Sequence, residues 1–296
     1  NSQIVVISGC TAWGKSDIAL KLAQDINGVI INADSRQVYK EIEIGTAKPI
    51  PERIENNIWY INEIPHYLYS YVSVKENYNL YRYQKDVFNL IQELPKNKIP
   101  ILVGGTGLYI DSVVFNYQLK KEENDIEKGE CEEIAIEDIK KLQKKIGKDI
   151  LKKLNESDRN NPHRLQKIIK SGLPSINKGK ELNHIYFFLD IDKEILKERI
   201  EKRVDYMFAN GLLEENVMIR KNNLGKYPAL RTIGYQEFDK YFEKKKSLDE
   251  VKKDIITHTS QYAKRQRTWF RRNKKIHYIK DYRQLKKEIV NFLSTN

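Results

Sequence analysis

The chain has 296 residues, 40% hydrophobic and 32% charged, which allows one good core or two smaller ones and excludes general disorder. It has no run of about 18 apolar residues, so no membrane span is expected. Its two cysteines, Cys10 and Cys131, exclude a cysteine-rich zinc finger and suit a reduced, cytoplasmic setting, while the net charge of +12 fits either a nucleic-acid partner or an AT-rich genome's surplus of lysine.

In chain order, Ile4 to Ser8 is a short apolar run that reads as a buried strand. It begins almost at once, so nothing resembles a signal peptide. Next comes Gly9-Cys10-Thr11-Ala12-Trp13-Gly14-Lys15-Ser16, which fits the phosphate-loop pattern G-x-x-x-x-G-K-[ST]. A loop between strand and helix turns successive backbone N–H groups toward an anion, and the helix N-terminus adds positive potential. Lys15 would reach phosphate oxygens and the Ser16 hydroxyl would ligate Mg²⁺. Trp13 is unusual there; outward packing is the expectation, with stacking on a ligand as the alternative. From Ser16 the chain reads as helix, with Ile18, Leu22 and Ile26 on one face.

Val29 to Ala33 is a second strand, ending at Asp34, and Ile58 to Ile64 is a candidate third. Leu80 to Leu94 reads as a helix stopped by Pro95. Ile99 to Val103 is another strand, followed by Gly104-Gly105-Thr106-Gly107. An ordinary phosphate-loop NTPase carries a metal-binding Asp after such a strand, and none follows here. The nearest acid is Asp34, which should share the cleft beyond the strand ends with the phosphate loop. It could hold metal, take a proton, or merely cap a helix.

Residues 117–183 are rich in Lys and Glu with helical spacing and read as an inserted helical domain. The β-α pattern resumes at Ile185 to Ile191, after which the chain is mostly helical. The expected architecture is therefore α/β: a parallel phosphate-loop core, residues 1–116 and 184–296, flanked by helices and interrupted by the helical insertion. Near the C-terminus, Lys264, Arg265, Arg267, Arg271, Arg272, Lys274 and Lys275 occur with no acid among them. Trp269 and Phe270 interrupt the run. It is either a solvated helix face or an RNA-backbone contact, and its arginines favour the second. A short extended piece after His277 and a helix from Leu285 to Phe292 close the chain.

Several blocks occur in a fixed order: DSRQVYK (Asp34–Lys40), IGTAKP (Ile44–Pro49), Pro65-His66, VGGTGLYI (Val103–Ile110), RVDYMFANGLLEE (Arg203–Glu215), IGYQE (Ile233–Glu237) and QYAKRQRTWFRR (Gln261–Arg272). With the phosphate loop, this set resembles the tRNA dimethylallyltransferases, also called tRNA isopentenyltransferases, over nearly the whole chain.

The resemblance implies transfer of the five-carbon group of dimethylallyl diphosphate to N6 of the adenosine at tRNA position 37, beside the anticodon, in tRNAs reading codons that start with U. The phosphate loop would then hold the diphosphate of an isoprenoid donor. Asp34 matches the family's general base, and Thr11 the threonine near the bridging oxygen. Lys15, Ser16 with Mg²⁺, and Arg203 would neutralise the leaving diphosphate. Ser35, Arg36 and Gln37 match positions that contact the target nucleotide, and Thr106 matches a further RNA-contacting site. His163, Arg164, Leu165, Gln166 and Lys167 match an RNA-contacting block of the insertion. The target base would flip out of the anticodon stem-loop.

The chain departs from the family pattern at Cys10, where Pro is usual, and at Trp13, where a small residue is usual. It lacks the second His and the Asp after Pro65-His66, the more acidic form of Asn161 to Lys167, and an arginine often found in Gln118 to Glu130. A monomer is expected. The competing readings are prenylation of free AMP or ATP and a small-molecule kinase, and neither needs the insertion or the basic run.

Overall fold

The computed structural model describes residues 3–119, 139–154 and 177–295, with isolated positions 159, 165, 166, 168, 169 and 172 between them. The first strand, β1 (Ile4–Gly9), leads through the glycine loop into α1 (Lys15–Ile26) and then β2 (Gly28–Asn32). The buried face of α1 is Ala19, Leu22 and Ala23, with Ile18 and Ile26 only half-buried at its borders.

Three short strands follow: β3 (Arg53–Glu55), β4 (Ile58–Ile61) and β5 (Ile64–Tyr67). The single strand expected from Ile58 to Ile64 is thus a hairpin. Asn62 and Glu63 both take positive φ, 48° and 62°, and reverse the chain as a two-residue turn. The next elements are α2 (Leu80–Glu93), β6 (Ile99–Gly104) and α3 (Gly107–Val114). Asn79 caps α2 by accepting the Arg82 N–H, which explains its sharp start.

The described insertion helices are α4 (Ile139–Ile146) and α5 (Lys148–Lys153). Then come β7 (His184–Leu189), α6 (Lys193–Ala209), α7 (Leu212–Lys221), the one-turn α8 (Asp239–Phe242), α9 (Leu248–Phe270), β8 (His277–Ile279) and α10 (Tyr282–Ser294).

The strands form one sheet in the order β3-β4-β5-β2-β6-β1-β7-β8. Neighbours from β5 through β8 pair in parallel, and only the β3–β4 and β4–β5 pairs are antiparallel. Side chains of β1 alternate between two cores. Val5 and Ile7 join α1 and α10 on one face, while Ile4 and Val6 join the larger core built with α2, α3, α6 and α9 on the other. Burial on both faces is why the central strands read as unbroken apolar runs.

The chain divides into two compact units, residues 1–131 with 179–296, and residues 132–178. Tyr117, assigned by sequence to the insertion, packs in the larger core of the first unit. The second unit has its own small core of Leu142, Ile146, Leu154, Leu165 and Ile168.

Candidate functional site

The phosphate loop forms where β1 meets α1. Ala12 and Gly14 take positive φ, 61° and 92°, and this curls the loop before the helix begins. The Lys15 ammonium donates to the Cys10 carbonyl at 2.9 Å, inside the curl. Burial, helped by the nearby Arg203 guanidinium, pushes its pKa down to about 8, and Asp34 pulls in the opposite sense. Ser16 is exposed on the first turn of α1. Trp13 packs outward, half-buried against the α1–α10 side; its carbonyl accepts from Arg199 Nη1 at 2.8 Å, and that guanidinium sits 6.0 Å from its ring. Cys10 is buried, with Sγ directed at the Ala263 carbonyl 3.6 Å away, and burial raises its thiol pKa.

Asp34 follows β2 at the same end of the sheet. The Arg36 N–H donates to its Oδ1 at 2.9 Å, while its own N–H donates to Asn32 Oδ1 at 3.0 Å. This side-chain-to-backbone turn fixes the carboxylate. Thr106 anchors the next residue, its Oγ1 accepting the Ser35 N–H at 3.0 Å. Arg203, from α6, reaches across and donates to Thr11 Oγ1 at 2.7 Å. Burial lowers the Arg203 pKa and Asp34 opposes that shift, so the carboxylate and both cations share one electrostatic neighbourhood.

A cavity of about 390 Å³ opens over these groups. Of the site residues named from the sequence, Thr11, Asp34, Ser35, Arg36, Thr106, Arg203 and Arg265 line it, while of the phosphate loop only Thr11 does. Its remaining walls are Gly45, Thr46, Val204, Met207, Arg231, Thr232, Ile233, Gln236, Ile255, Thr259 and Tyr262. Gly45, Thr46, Val204, Met207, Ile233, Gln236 and Tyr262 fall inside the ordered blocks, but no feature of their spacing assigned them a role in the site.

Other expected RNA-contacting residues are engaged elsewhere. Gln37 directs its amide at the Thr46 and Ala47 carbonyls, 2.9 and 3.3 Å away, because the turn above it needs donors. Arg267 turns inward, bonding the Ile191 carbonyl and lying 3.4 Å from Asp190. Leu165 is fully buried in the core of the second unit, where an apolar side chain belongs. Gln166 is half-buried, and Arg271 is exposed at the end of α9. His163, Arg164 and Lys167 lie outside the described residues.

Sequence reasoning passed over Gln266. This buried side chain accepts the Thr11 N–H at 2.9 Å and donates to the Gly105 carbonyl at 3.0 Å. It clips the phosphate loop to the glycine loop after β6. A side chain at Gly105 would place its Cβ 2.1 Å from Gln266 Nε2, and one at Gly107 would meet Trp269 at 2.2 Å. The glycine run after β6 is therefore room for α9, and that is the signal that could have pointed to Gln266. Trp269 completes the contact by donating its Nε1–H to Asp111 Oδ2 at 3.0 Å.

A second, half-buried network shapes another part of the lining. The Glu215 carboxylate accepts the N–H groups of Glu43, Ile44 and Gly45 at 2.9, 3.0 and 3.3 Å, and the Tyr235 hydroxyl at 2.5 Å. It holds the turn that carries Gly45 and Thr46 into the cavity.

No group of three or more His, Cys, Asp or Glu arranged for a metal ion occurs among the described residues. The donor set offers the Ser16 hydroxyl beside the phosphate loop, which suits a hard ion held chiefly by phosphate oxygens and water. No helix among the described residues is long and apolar enough to cross a membrane.

Comparison with known proteins points to one family. Residues 37–273 match the IPP transferase family model, and residues 2–65 match the isopentenyl transferase model. The chain is 35% identical to a tRNA dimethylallyltransferase of Acholeplasma laidlawii, over 90% of this chain and 89% of that protein. It is 36% identical to one from Rippkaea orientalis, over 94% and 93%. Among solved structures, a full-length tRNA isopentenylpyrophosphate transferase from Bacillus halodurans superposes with a TM-score of 0.72 at 26% identity, covering 99% of this chain and 96% of that one. A eukaryotic dimethylallyltransferase solved acting on tRNA gives 0.65 at 26% identity, over 91% and 70%. This chain belongs to the IPP transferase family.

Proposed function

We propose that this protein transfers the dimethylallyl group of dimethylallyl diphosphate to N6 of the adenosine at position 37 of tRNA. Its substrates would be cytoplasmic tRNAs whose anticodons read codons starting with U, and it would act as a monomer. The observation that carries the reading is one cavity lined both by Asp34 and by the hydrogen-bonded Thr11–Arg203 pair.

In this reading the phosphate loop and Lys15 bind the diphosphate, and Arg203 with Thr11 meets its bridging oxygen. The N6 lone pair attacks C1 of the allylic chain, the C1–O bond breaks, and diphosphate leaves with the bonding electrons. Because the N6 lone pair is delocalised into the ring, loss of its proton must accompany attack. Asp34 takes that proton. Its Oδ1 is already oriented by the Arg36 N–H, so Oδ2 is the oxygen assigned to receive it. Each well-placed charge on the leaving group contributes about 3 kcal/mol to the transition state. Ser16 would hold Mg²⁺, which supplies further charge neutralisation on the diphosphate when bound. Arg36, Thr106 and Arg265 receive the flipped nucleotide and its phosphates, and Arg271 extends the contact along the RNA backbone.

Incubation with labelled dimethylallyl diphosphate tests this directly. The label is expected on an anticodon stem-loop with adjacent adenosines at positions 36 and 37, and not on AMP. Labelling of AMP alone would select the free-nucleotide reading, and robust ATP hydrolysis would select a kinase. Asp34→Ala is expected to lower kcat by at least about 100-fold with donor affinity nearly unchanged.

A further inference from the structure

Two arginines of α6, one helical turn apart on the same face, both donate to the phosphate loop. Arg203 Nη1 bonds Thr11 Oγ1 at 2.7 Å, and Arg199 Nη1 bonds the Trp13 carbonyl at 2.8 Å. Both partners of the first bond line the cavity. Neither partner of the second does, and Arg199 is exposed. The proposed transfer gives Arg199 no task.

The second bond fixes more than a carbonyl. In a planar trans peptide the C=O and the following N–H point in opposite senses. The Gly14 N–H therefore points away from the Arg199 guanidinium. Gly14 is exposed, and no hydrogen bond reaches its N–H among the described residues. It stands at the N-terminus of α1, beside Lys15, where an anion is favoured. The residues flanking Trp13 both take positive φ, and for Ala12 that conformation is costly, so an outside hold on the loop has work to do. Resting on the proposed donor, we infer that Arg199 is a positioning residue of the phosphate loop. By holding the Trp13 carbonyl it presents the Gly14 N–H to the diphosphate. The Trp13 ring, 6.0 Å from the guanidinium, adds a cation–π attraction that keeps Arg199 at the loop.

Isothermal titration in the presence of Mg²⁺ tests this with two probes, dimethylallyl diphosphate and inorganic diphosphate. Arg199→Ala is expected to weaken both about tenfold. KM for the donor is expected to rise by a similar factor while kcat stays within about threefold, as for an interaction made equally in ground and transition states. KM for the stem-loop is expected to stay unchanged. In the ligand-free variant, hydrogen exchange of the peptide spanning residues 9–16 is expected to speed at least about threefold, which a residue acting only on bound ligand would not cause. Because Arg199 is exposed, the variant is expected to keep the wild-type melting temperature. Unchanged affinity for both probes overturns the inference. So does weaker binding without faster loop exchange, which would make Arg199 a direct ligand contact. Equal losses for donor and RNA with a lowered melting temperature also overturn it, by making Arg199 a general structural contact. Diphosphate binding that depends on Arg199, with no prenyl transfer, would overturn the parent reading alone. Binding of neither probe by the wild type would overturn both.

Discussion

At the scale of single residues, the site depends on charges held at close quarters in a partly dry setting. Lys15 loses its proton near pH 8, far below the ordinary lysine value of 10.5, because burial and Arg203 disfavour its charge. A bound diphosphate favours the charged form, so donor binding takes up a proton once pH exceeds about 8. Donor affinity is therefore expected to be flat below that pH and to fall toward tenfold per unit above it. Titration of dimethylallyl diphosphate from pH 6.5 to 9.5 checks this, with Lys15→Met expected to bind weakly and to lose the slope. Lys48 has its pKa lowered by burial to a similar value, and it bonds Ser70 and the Tyr39 carbonyl rather than the phosphate loop. The Lys15 variant separates the two.

At the scale of elements, the site is a set of loops fastened by side chains from distant helices. Glu215, on α7, fastens the 43–45 turn. Replacing it with Gln exchanges one acceptor oxygen for a donor facing N–H groups, a mismatch expected to cost about 2–3 kcal/mol of stability. Denaturant unfolding measures that loss, and KM for RNA is expected to rise more than KM for the donor. Such fastenings mark the boundary of what was legible in the sequence. The phosphate loop, Asp34 and the parallel strands were legible because each depends on local pattern: apolar runs, a glycine curl, an acid at a strand end. Gln266 and Glu215 were not, because a lone polar residue on a helix carries no local mark of the loop it will meet. Arg267 was misread for a related reason. Its neighbours Arg265 and Arg271 face solvent, but the helical turn directs Arg267 at Ile191 and Asp190.

At the scale of the whole molecule, the net charge of +12 becomes local where α9 ends. Arg265 and Arg271 are exposed, and the Arg272 guanidinium lies 5.0 Å from the Trp269 ring. If these arginines meet RNA phosphates, each neutralised phosphate contributes about 0.7–0.9 to the slope of log K against log salt. Arg265→Gln with Arg271→Gln is expected to flatten that slope by about 1.5 for a stem-loop, measured by fluorescence anisotropy across potassium chloride concentrations. Leaving the slope unchanged would assign both residues to a solvated face.

The clip between Thr11 and Gln266 joins residues 255 positions apart. At about 5–20 residues per second, a ribosome needs roughly 13–50 seconds to make that interval. Throughout that time the nascent loop lacks its clip, and for roughly the first two thirds of it also β7, the strand that pairs with β1. A stalled or truncated product ending before α9 would thus carry the donor-binding signature in its sequence and yet be inert, with bare strand edges open to proteases and chaperones.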